Sequence, residues 1–298
     1  MNNLYDIALL GHYTKDTIVS ASGTRLVDGG AFNYGAHVAV RMGLNVAAIT
    51  RLVEEDRHVI DELTRLGIDA FVQYSPYSTC LRLEYPTSNL DKRLIYVTST
   101  AGAFTPVEVE PVQARAFLVG ASMRGEVSLE VIEALRRKDT LLAVDVQGFV
   151  RVDREGQLVY ETWPEMHPVL ACVDVLKTDA VEAEMLTGQP DIHQAARILA
   201  DLGPREVVLT HRNGLLVYAD GQYYEAGFFP CKLVGRSGRG DTCIAAYTAK
   251  RLSASPAEAT LWAAALTSLK MEAEGPFKRE IGAVEELIGS MYQPLGQK

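Results

Sequence analysis

The sequence lacks the signatures of several protein classes. Four cysteines form no C-x-x-C pair and have no histidine at zinc-ligand spacing, which excludes a disulfide framework and a zinc site of these types. No window holds about 18 consecutive apolar residues, so we expect no membrane-spanning helix and no membrane partner. The Walker A sequence G-x-x-x-x-G-K-S/T is also absent, which excludes a P-loop phosphate site.

Positive charge is scarce as well. The chain carries 29 Lys and Arg against 38 Asp and Glu, a net charge of −9, which argues against a nucleic-acid partner. Its 298 residues are 48% hydrophobic, enough for one large α/β domain with an ample core. Residues 1–10 carry no basic leader, so we expect a cytoplasmic protein whose partner is a small molecule.

Short apolar runs alternate with amphipathic stretches along nearly the whole chain, which is typical of a mostly parallel sheet covered by helices. The predicted strands are 5–10, 46–50, 117–119, 141–146, 173–177 and 207–210. The predicted helices are 31–42, 57–66, 129–137, 180–186, 192–202, 243–252 and 257–273. We therefore expect a three-layer α/β/α fold in a single domain that spans residues 1–298.

Two stretches, 13–27 and 74–98, interrupt this alternation with strand-like patterns rich in Thr, Ser, Tyr, Val and Leu. They are expected to pair as a small sheet that acts as a lid over the ends of the main sheet. The alternative, that they are edge strands of the main sheet, is left open by periodicity. A homodimer through an apolar edge of the lid is also left open.

The most informative segment is 235–242, which reads G-R-S-G-R-G-D-T and leads into the predicted helix 243–252. Its glycines allow successive backbone N–H groups to point into one concavity, and the helix dipole adds positive charge, so the segment favours a phosphate group. Asp241 stands beside this cradle, which suggests phosphoryl transfer. Capping of the helix by Asp241 is the alternative, but it leaves the glycines unexplained.

A second glycine pair, Gly29 and Gly30, opens the predicted helix 31–42. Alone it is equally consistent with an ordinary turn. Together with the later G-R-G-D-T segment, however, it makes a two-motif signature, and the chain resembles the ribokinase or PfkB family of carbohydrate kinases. The resemblance covers essentially the full length. It includes residues 177–184, K-T-D-A-V-E-A-E, which are similar to the family's N-x-x-E motif.

The resemblance implies a ribokinase-like fold and a kinase that uses ATP and Mg²⁺ to phosphorylate a hydroxyl group of a sugar or cyclitol. Such transfer requires mainly alignment of the acceptor and stabilisation of charge on the phosphate oxygens. Asp241 is the implied base, and the backbone amides of Gly238, Arg239 and Gly240 are the implied anion hole.

The residues that the resemblance implies for acceptor binding lie in three segments. Tyr34 stands where the family generally has an asparagine, which reshapes the pocket and makes a plain pentose kinase less favoured. Residues 144–151, V-D-V-Q-G-F-V-R, are similar to those of inositol-kinase-like members and favour a cyclitol or a related polyol. The candidate acceptor-binding residues are Asp16, Gly29, Gly30, Tyr34, Asp145, Gln147 and Arg151.

The implied donor site involves Asp179, Glu182, Thr210 and Gly214. Glu182 is the candidate magnesium ligand, directly or through water, whereas Asp179 replaces the family's asparagine and adds negative charge. The alternatives are ordinary ones: first-turn acids for Asp179 and Glu182, and a hairpin turn for Gly214. Gly235 and Arg236 replace a usual D-T pair, which leaves dependence on a monovalent cation open.

Two other functions compete with a sugar or cyclitol kinase. A nucleoside kinase uses the same scaffold and would present an aromatic slot for the base. A catalytically weak binding protein on this fold, which controls a partner through ligand occupancy, is the third hypothesis. The intact Asp241 and its flanking glycines favour catalysis.

Overall fold

The computed structural model of the protein describes residues 4–21, 23–87, 93–235 and 237–292. Arg236 and parts of the two predicted lid stretches, residues 22 and 88–92, lie outside the described residues. The described strands are β1 (Leu4–Leu10), β2 (Thr14–Ser20), β3 (Gly23–Gly29), β4 (Val46–Leu52), β5 (Asp69–Tyr74), β6 (Thr79–Glu84), β7 (Leu94–Ser99), β8 (Gln113–Val119), β9 (Leu141–Asp145), β10 (Arg151–Arg154), β11 (Gln157–Tyr160), β12 (Val175–Asp179), β13 (Glu206–Thr210), β14 (Gly214–Ala219) and β15 (Gln222–Gly227).

Helices alternate with these strands along the chain. They are α1 (Ala31–Arg41), α2 (His58–Arg65), α3 (Pro106–Val109), α4 (Leu129–Arg136), α5 (Gln147–Val150), α6 (Met166–Leu170), α7 (Ala180–Thr187), α8 (Ile192–Asp201), α9 (Arg239–Arg251), α10 (Pro256–Lys270) and α11 (Gly282–Met291). None of the helices in the described part of the chain is long and apolar enough to span a bilayer.

The larger sheet has nine strands in the order β15-β14-β13-β12-β9-β8-β1-β4-β5. The seven strands from β13 to β5 are parallel, and β14 and β15 extend one edge as antiparallel strands. The predicted mostly parallel sheet is therefore confirmed. Because parallel strands end at one edge of the sheet, the residues that follow them gather there.

Both faces of this sheet are covered by helices. Successive side chains of a strand point to opposite faces, so Ile7 and Leu9 of β1 enter one core while Ala8 and Leu10 enter the other. Helices α1, α2 and α9–α11 contribute to the first core, and α3–α8 contribute to the second. The predicted three-layer α/β/α arrangement is confirmed.

A second, six-stranded sheet has the order β10-β11-β7-β6-β2-β3. Four of its strands come from the two predicted stretches, so the second sheet is confirmed. Two details were wrong: Tyr74 ends β5 of the larger sheet, where it pairs with Leu52, and β10 and β11 were not predicted. These two strands have only four residues each, and β11 joins β7 through the single pair Gln157 and Tyr96, too short a pattern for periodicity to show.

Hydrogen bonds hold the second sheet onto the carboxyl ends of the larger one. Nδ1 of the buried His12, which follows β1, lies 2.8 Å from Oγ1 of Thr79 at the start of β6. Oγ1 of Thr79 accepts a hydrogen bond from the backbone N–H of Ala101 after β7. Glu126, after β8, lies 3.3 Å from His12. The segments that connect the two sheets thus meet at one buried cluster of hydrogen-bonding groups.

The helix that carries Asp241 begins earlier than predicted. Gly238 is its N-cap, with φ of 72°, and the helical residues start at Arg239 instead of at 243. Gly240 and Asp241 therefore lie in the first turn of α9, and Asp241 is not the N-cap. The left-handed backbone at Gly238 explains the shift, because a glycine adopts it without strain and allows the helix to begin at once.

Candidate active site

Asp241 lies in a cavity of about 520 Å³ between the two sheets, at the carboxyl ends of the parallel strands. We call it the larger cavity. The cavity walls come from β7, β10 and β11 of the second sheet and from β12, β13 and α9 below. Burial and the neighbouring carboxylate of Asp145 raise the pKa of Asp241, while Lys177, Arg151 and Arg93 lower it. These opposing charges surround a carboxylate that remains open to the cavity.

The amino end of α9 points into the cavity that contains Asp241. The first turn of any helix leaves backbone N–H groups without partners in the preceding turn, and Gly238, Arg239 and Gly240 all line the cavity. Gly238 packs so closely on the buried ring of Tyr34 that a methyl group there would overlap it. The arrangement suits an anion, because the free amides and the helix dipole act at the same point.

Lys177 is the residue of this site that the sequence analysis did not single out. It lies near the end of β12, is buried, and places Nζ 3.1 Å from Oδ2 of Asp145 and directly beneath Gly240. Although burial lowers its pKa, the charges of Asp145 and Glu182 raise it above the ordinary value, so the ammonium stays charged. A lysine within the apolar strand 173–177 was the available signal.

Asp179 and Glu182 form a capping box at the start of α7. Oδ1 of Asp179 accepts a hydrogen bond from the backbone N–H of Glu182 at 2.9 Å, and Oε2 of Glu182 accepts one from the N–H of Asp179 at 2.9 Å. Oε1 of Glu182 is buried without a hydrogen-bond partner and lies 3.9 Å from Arg151. Burial raises the pKa of Glu182. The ordinary capping role and an available carboxylate oxygen thus coexist.

Of three further residues that the sequence offered for ligand binding, two line the larger cavity and one does not. Gln147 and Thr210 line the larger cavity, and the N–H of Gln147 donates to Oδ1 of Asp145 at 3.1 Å. Gly214 does not line it: this residue opens β14, where a methyl group would overlap the carbonyl of Ala226 in β15. The hairpin alternative therefore accounts for Gly214, whereas His211 and Arg212 of the same turn do reach the cavity.

The glycine pair is required by packing close to the acceptor candidates. A methyl group at Gly29 would overlap Oγ1 of Thr14 and Oδ2 of Asp16, and one at Gly30 would overlap the carbonyl of His12. Gly30 is also the N-cap of α1, with φ of 97°. Asp16, on β2, is nearly fully buried, and its Oδ1 has no hydrogen-bond partner. The pair thus lets the second sheet approach α1 closely.

A smaller cavity of about 320 Å³ lies between β2, β3 and the carboxyl end of α10. Tyr34 lines it, and the ring of Tyr34 also packs on Gly238 of the larger cavity. The Tyr34 hydroxyl is buried without a hydrogen-bond partner. Lys270, the last residue of α10, is 2% exposed and lines this cavity, with Nζ 5.5 Å from the centre of the Tyr34 ring. The sequence predicted only core packing for this helix, and a single lysine at its end carries no distinguishing pattern.

Residues 5–277 match the model of the pfkB family carbohydrate kinases. The chain belongs to this family. A solved pyrophosphate-dependent kinase in the ribokinase family, in complex with sulfate, is 34% identical with a TM-score of 0.88 over 94% of this chain and 99% of that one. Such a kinase in complex with a pyrophosphate analogue and myo-inositol is also 34% identical, with a TM-score of 0.87 and the same coverage.

A curated relative is the cytidine kinase of Thermococcus kodakarensis, which is 24% identical over 254 residues, 83% of this chain and 88% of the relative. The family and these kinases identify the PfkB protein as a phosphotransferase that acts on a hydroxyl group. The ribokinase-like fold expected from the sequence is confirmed.

The buried Asp16 of this PfkB kinase is expected to cost stability above acidic pH. Burial raises its pKa to about 7, whereas an unfolded chain releases this proton near pH 4. Stability should therefore fall as pH rises from about 4 to 7. Asp16→Asn should raise the free energy of unfolding by roughly 2–4 kcal/mol at pH 8 and change it little at pH 4.

Urea unfolding of both proteins at pH 4 and pH 8 measures this difference. The exposed Asp220, in the turn between β14 and β15, supplies a matched control, because Asp220→Asn makes the same chemical change without burial. An equal effect of Asp16→Asn at both pH values would contradict the prediction.

Proposed function

We propose that this PfkB kinase transfers a phosphoryl group from inorganic pyrophosphate to a hydroxyl group of an inositol-like cyclitol. The observation that carries the proposal is the convergence of five cationic side chains and Asp241 on one cavity at the amino end of α9. A base beside an anion site is what phosphoryl transfer to an alcohol requires.

Charge along the larger cavity supports a compact polyphosphate donor. Five cationic side chains line it, against the two carboxylates of Asp179 and Asp241. The cations are Arg93, Arg151, Lys177, Arg212 and Arg239. Pyrophosphate is charged along its whole length and gains from cations at both ends, and the two solved kinases at 34% identity are pyrophosphate-dependent. ATP, which the sequence resemblance implies, is the competing donor.

The acceptor side supports a neutral molecule with neighbouring hydroxyl groups. Oδ1 of Asp16 accepts and the Tyr34 hydroxyl donates or accepts, and both are buried without partners. Unpaired buried polar atoms are costly, so a ligand that pairs them binds selectively. Residues 144–151 resemble inositol-kinase-like members, and one solved relative binds myo-inositol. A cyclitol therefore fits better than a pentose or a nucleoside.

In the proposed reaction the acceptor hydroxyl oxygen attacks the nearer phosphorus atom of pyrophosphate. The bond from that phosphorus to the bridging oxygen breaks, orthophosphate leaves, and Asp241 receives the hydroxyl proton. The amides of Gly238, Arg239 and Gly240 stabilise charge on the transferred group. Lys177 lies beneath Gly240, where its ammonium adds positive charge to the same site.

Magnesium is proposed to assist by neutralising donor charge. Across the described part of the chain, no group of three or more His, Cys, Asp or Glu side chains is arranged to hold a metal ion. The unpaired Oε1 of Glu182 would hold the ion, directly or through water, and the ion would supply positive charge beside the donor phosphates.

The function is tested by phosphorylation of myo-inositol, glucose, ribose and cytidine, each with Mg²⁺ and with either pyrophosphate or ATP. Phosphorus NMR identifies the product and the spent donor. We expect turnover of myo-inositol with pyrophosphate, and loss of this turnover in Asp241→Asn.

The other outcomes select among the alternatives. Turnover of myo-inositol with ATP alone would keep the acceptor and replace the donor. Turnover of cytidine would establish a nucleoside kinase. If no acceptor is phosphorylated while titration calorimetry detects pyrophosphate or myo-inositol binding, the regulatory binding protein becomes the leading function.

A further inference from the structure

Lys270 places a buried ammonium group at the carboxyl end of α10, and the proposed reaction does not use it. Within the described part of the chain no carboxylate lies within ion-pair distance of its Nζ, and the ammonium lies over the face of the Tyr34 ring. Gly238, which packs on the same ring, stands three residues before Asp241 at the start of α9. Lys270 thus lies behind the turn that carries the base, on the side of the smaller cavity.

The other cations around Asp241 lie on the donor side. Lys177, Arg151 and Arg93 all line the larger cavity, and the charge of each lowers the pKa of Asp241. These same three cations would pair with the donor phosphates. Pyrophosphate brings several negative charges, so once it is bound the donor-side cations are neutralised and the field at Asp241 becomes more negative.

The donor phosphates do not neutralise Lys270, because this residue lines the smaller cavity, on the far side of Tyr34 and Gly238. A donor in the larger cavity therefore leaves the Lys270 ammonium unpaired, on the opposite side of the turn that carries Asp241. Low dielectric surroundings strengthen the interaction of this charge with Asp241, since the side chain is 2% exposed.

We propose that Lys270 is a positioning residue whose ammonium keeps Asp241 ionised, and hence able to accept the hydroxyl proton, after the donor has neutralised the cations of the larger cavity. The inference rests on the proposed function for the identity of the donor. It does not depend on which acceptor is phosphorylated.

The surroundings of Lys270 are consistent with a charged ammonium at neutral pH. Burial lowers its pKa to about 8, while Asp241 and Glu274 oppose that change. Arg25, on β3, also lines the smaller cavity, but its guanidinium is 2.6 Å from Glu274, so this pair is internally neutral. Asp145 and Asp16 add negative charge near Asp241 from β9 and β2. Lys270 is thus the cation of the smaller cavity that remains for the base.

Lys270→Met should move the acid limb of the kcat profile to higher pH by about one unit or more, since an opposite charge nearby typically shifts a carboxyl pKa by that amount. At pH values below the limb kcat should fall about tenfold, and above it kcat should match the unchanged protein. Lys270→Arg, which retains the charge, should leave the limb in place.

Lys250 supplies a matched control. Its ammonium also lies over an aromatic ring, 4.2 Å from the centre of Trp262, and pairs with Glu258 at 2.8 Å, remote from both cavities. Lys250→Met should leave the pH profile unchanged. A fall in kcat of Lys270→Met by the same factor at every pH would overturn the inference, because a purely structural defect has that signature.

A second measurement separates this inference from the proposed function. Carbon NMR of aspartate-labelled protein follows the Asp241 carboxyl group, which Asp241→Asn assigns, with and without inorganic pyrophosphate. Lys270→Met should raise the titration midpoint of that signal even if none of the acceptors is phosphorylated. An unchanged midpoint in both conditions would refute the role of Lys270 and leave the kinase proposal standing.

Discussion

Asp241→Asn should lower kcat by about 10²–10⁴-fold, the range that a positioned general base contributes. Asparagine keeps the size of the side chain but cannot accept the proton that leaves the acceptor hydroxyl. Binding of pyrophosphate should persist, because the amides at the start of α9 and the cation Lys177 are untouched. Steady-state kinetics and titration calorimetry on the same preparation measure the two effects separately.

The stability of this variant distinguishes a chemical effect from a folding defect. Burial raises the pKa of Asp241, so removing its charge should not lower the melting temperature. The exposed Asp220 again serves as control, since Asp220→Asn should retain full activity. Turnover of Asp241→Asn close to that of the unchanged protein would mean that another group accepts the proton.

Gly238→Ala should reduce kcat/KM by about 100-fold or more, since misplacing a catalytic group by about 1 Å has this cost. The new methyl group would overlap the buried Tyr34 ring, and the residue has a left-handed backbone with φ of 72°. The loop before α9 must shift to relieve the overlap, and the anion hole shifts with it. The free energy of unfolding should fall by roughly 2–4 kcal/mol, from backbone strain and overpacking together.

Gly188 provides a control with nearly the same backbone. Its φ is 69°, and a methyl group there would meet no atom within 4 Å. Gly188→Ala should therefore cost only the backbone term, roughly 1–2 kcal/mol, and leave kcat/KM unchanged. Equal losses of activity in the two variants would show that backbone strain, and not contact with Tyr34, explains the effect.

Local patterns predicted most of the fold. The apolar run at 207–210 predicted a buried strand, and the apolar residues every three or four positions at 192–202 predicted a helix with one buried face. The structure has β13 and α8 at those places. Ser255 and Pro256 signalled the start of α10 correctly, because capping is a local interaction. The short strands β10 and β11 were missed because four residues are too few for alternation to show, and because the pairing of β11 with β7 joins residues distant in sequence.

By itself the sequence determined the family, the order of most elements and the position of Asp241 beside the glycines that begin α9. It did so because turn glycines, caps and alternation act over a few residues. Tertiary structure alone decided that Lys177 lies against Gly240 and that Gly238 and Lys270 pack on the same Tyr34 ring. These relations depend on side chains brought together from different layers of the fold, whose mutual burial and charge no local pattern encodes.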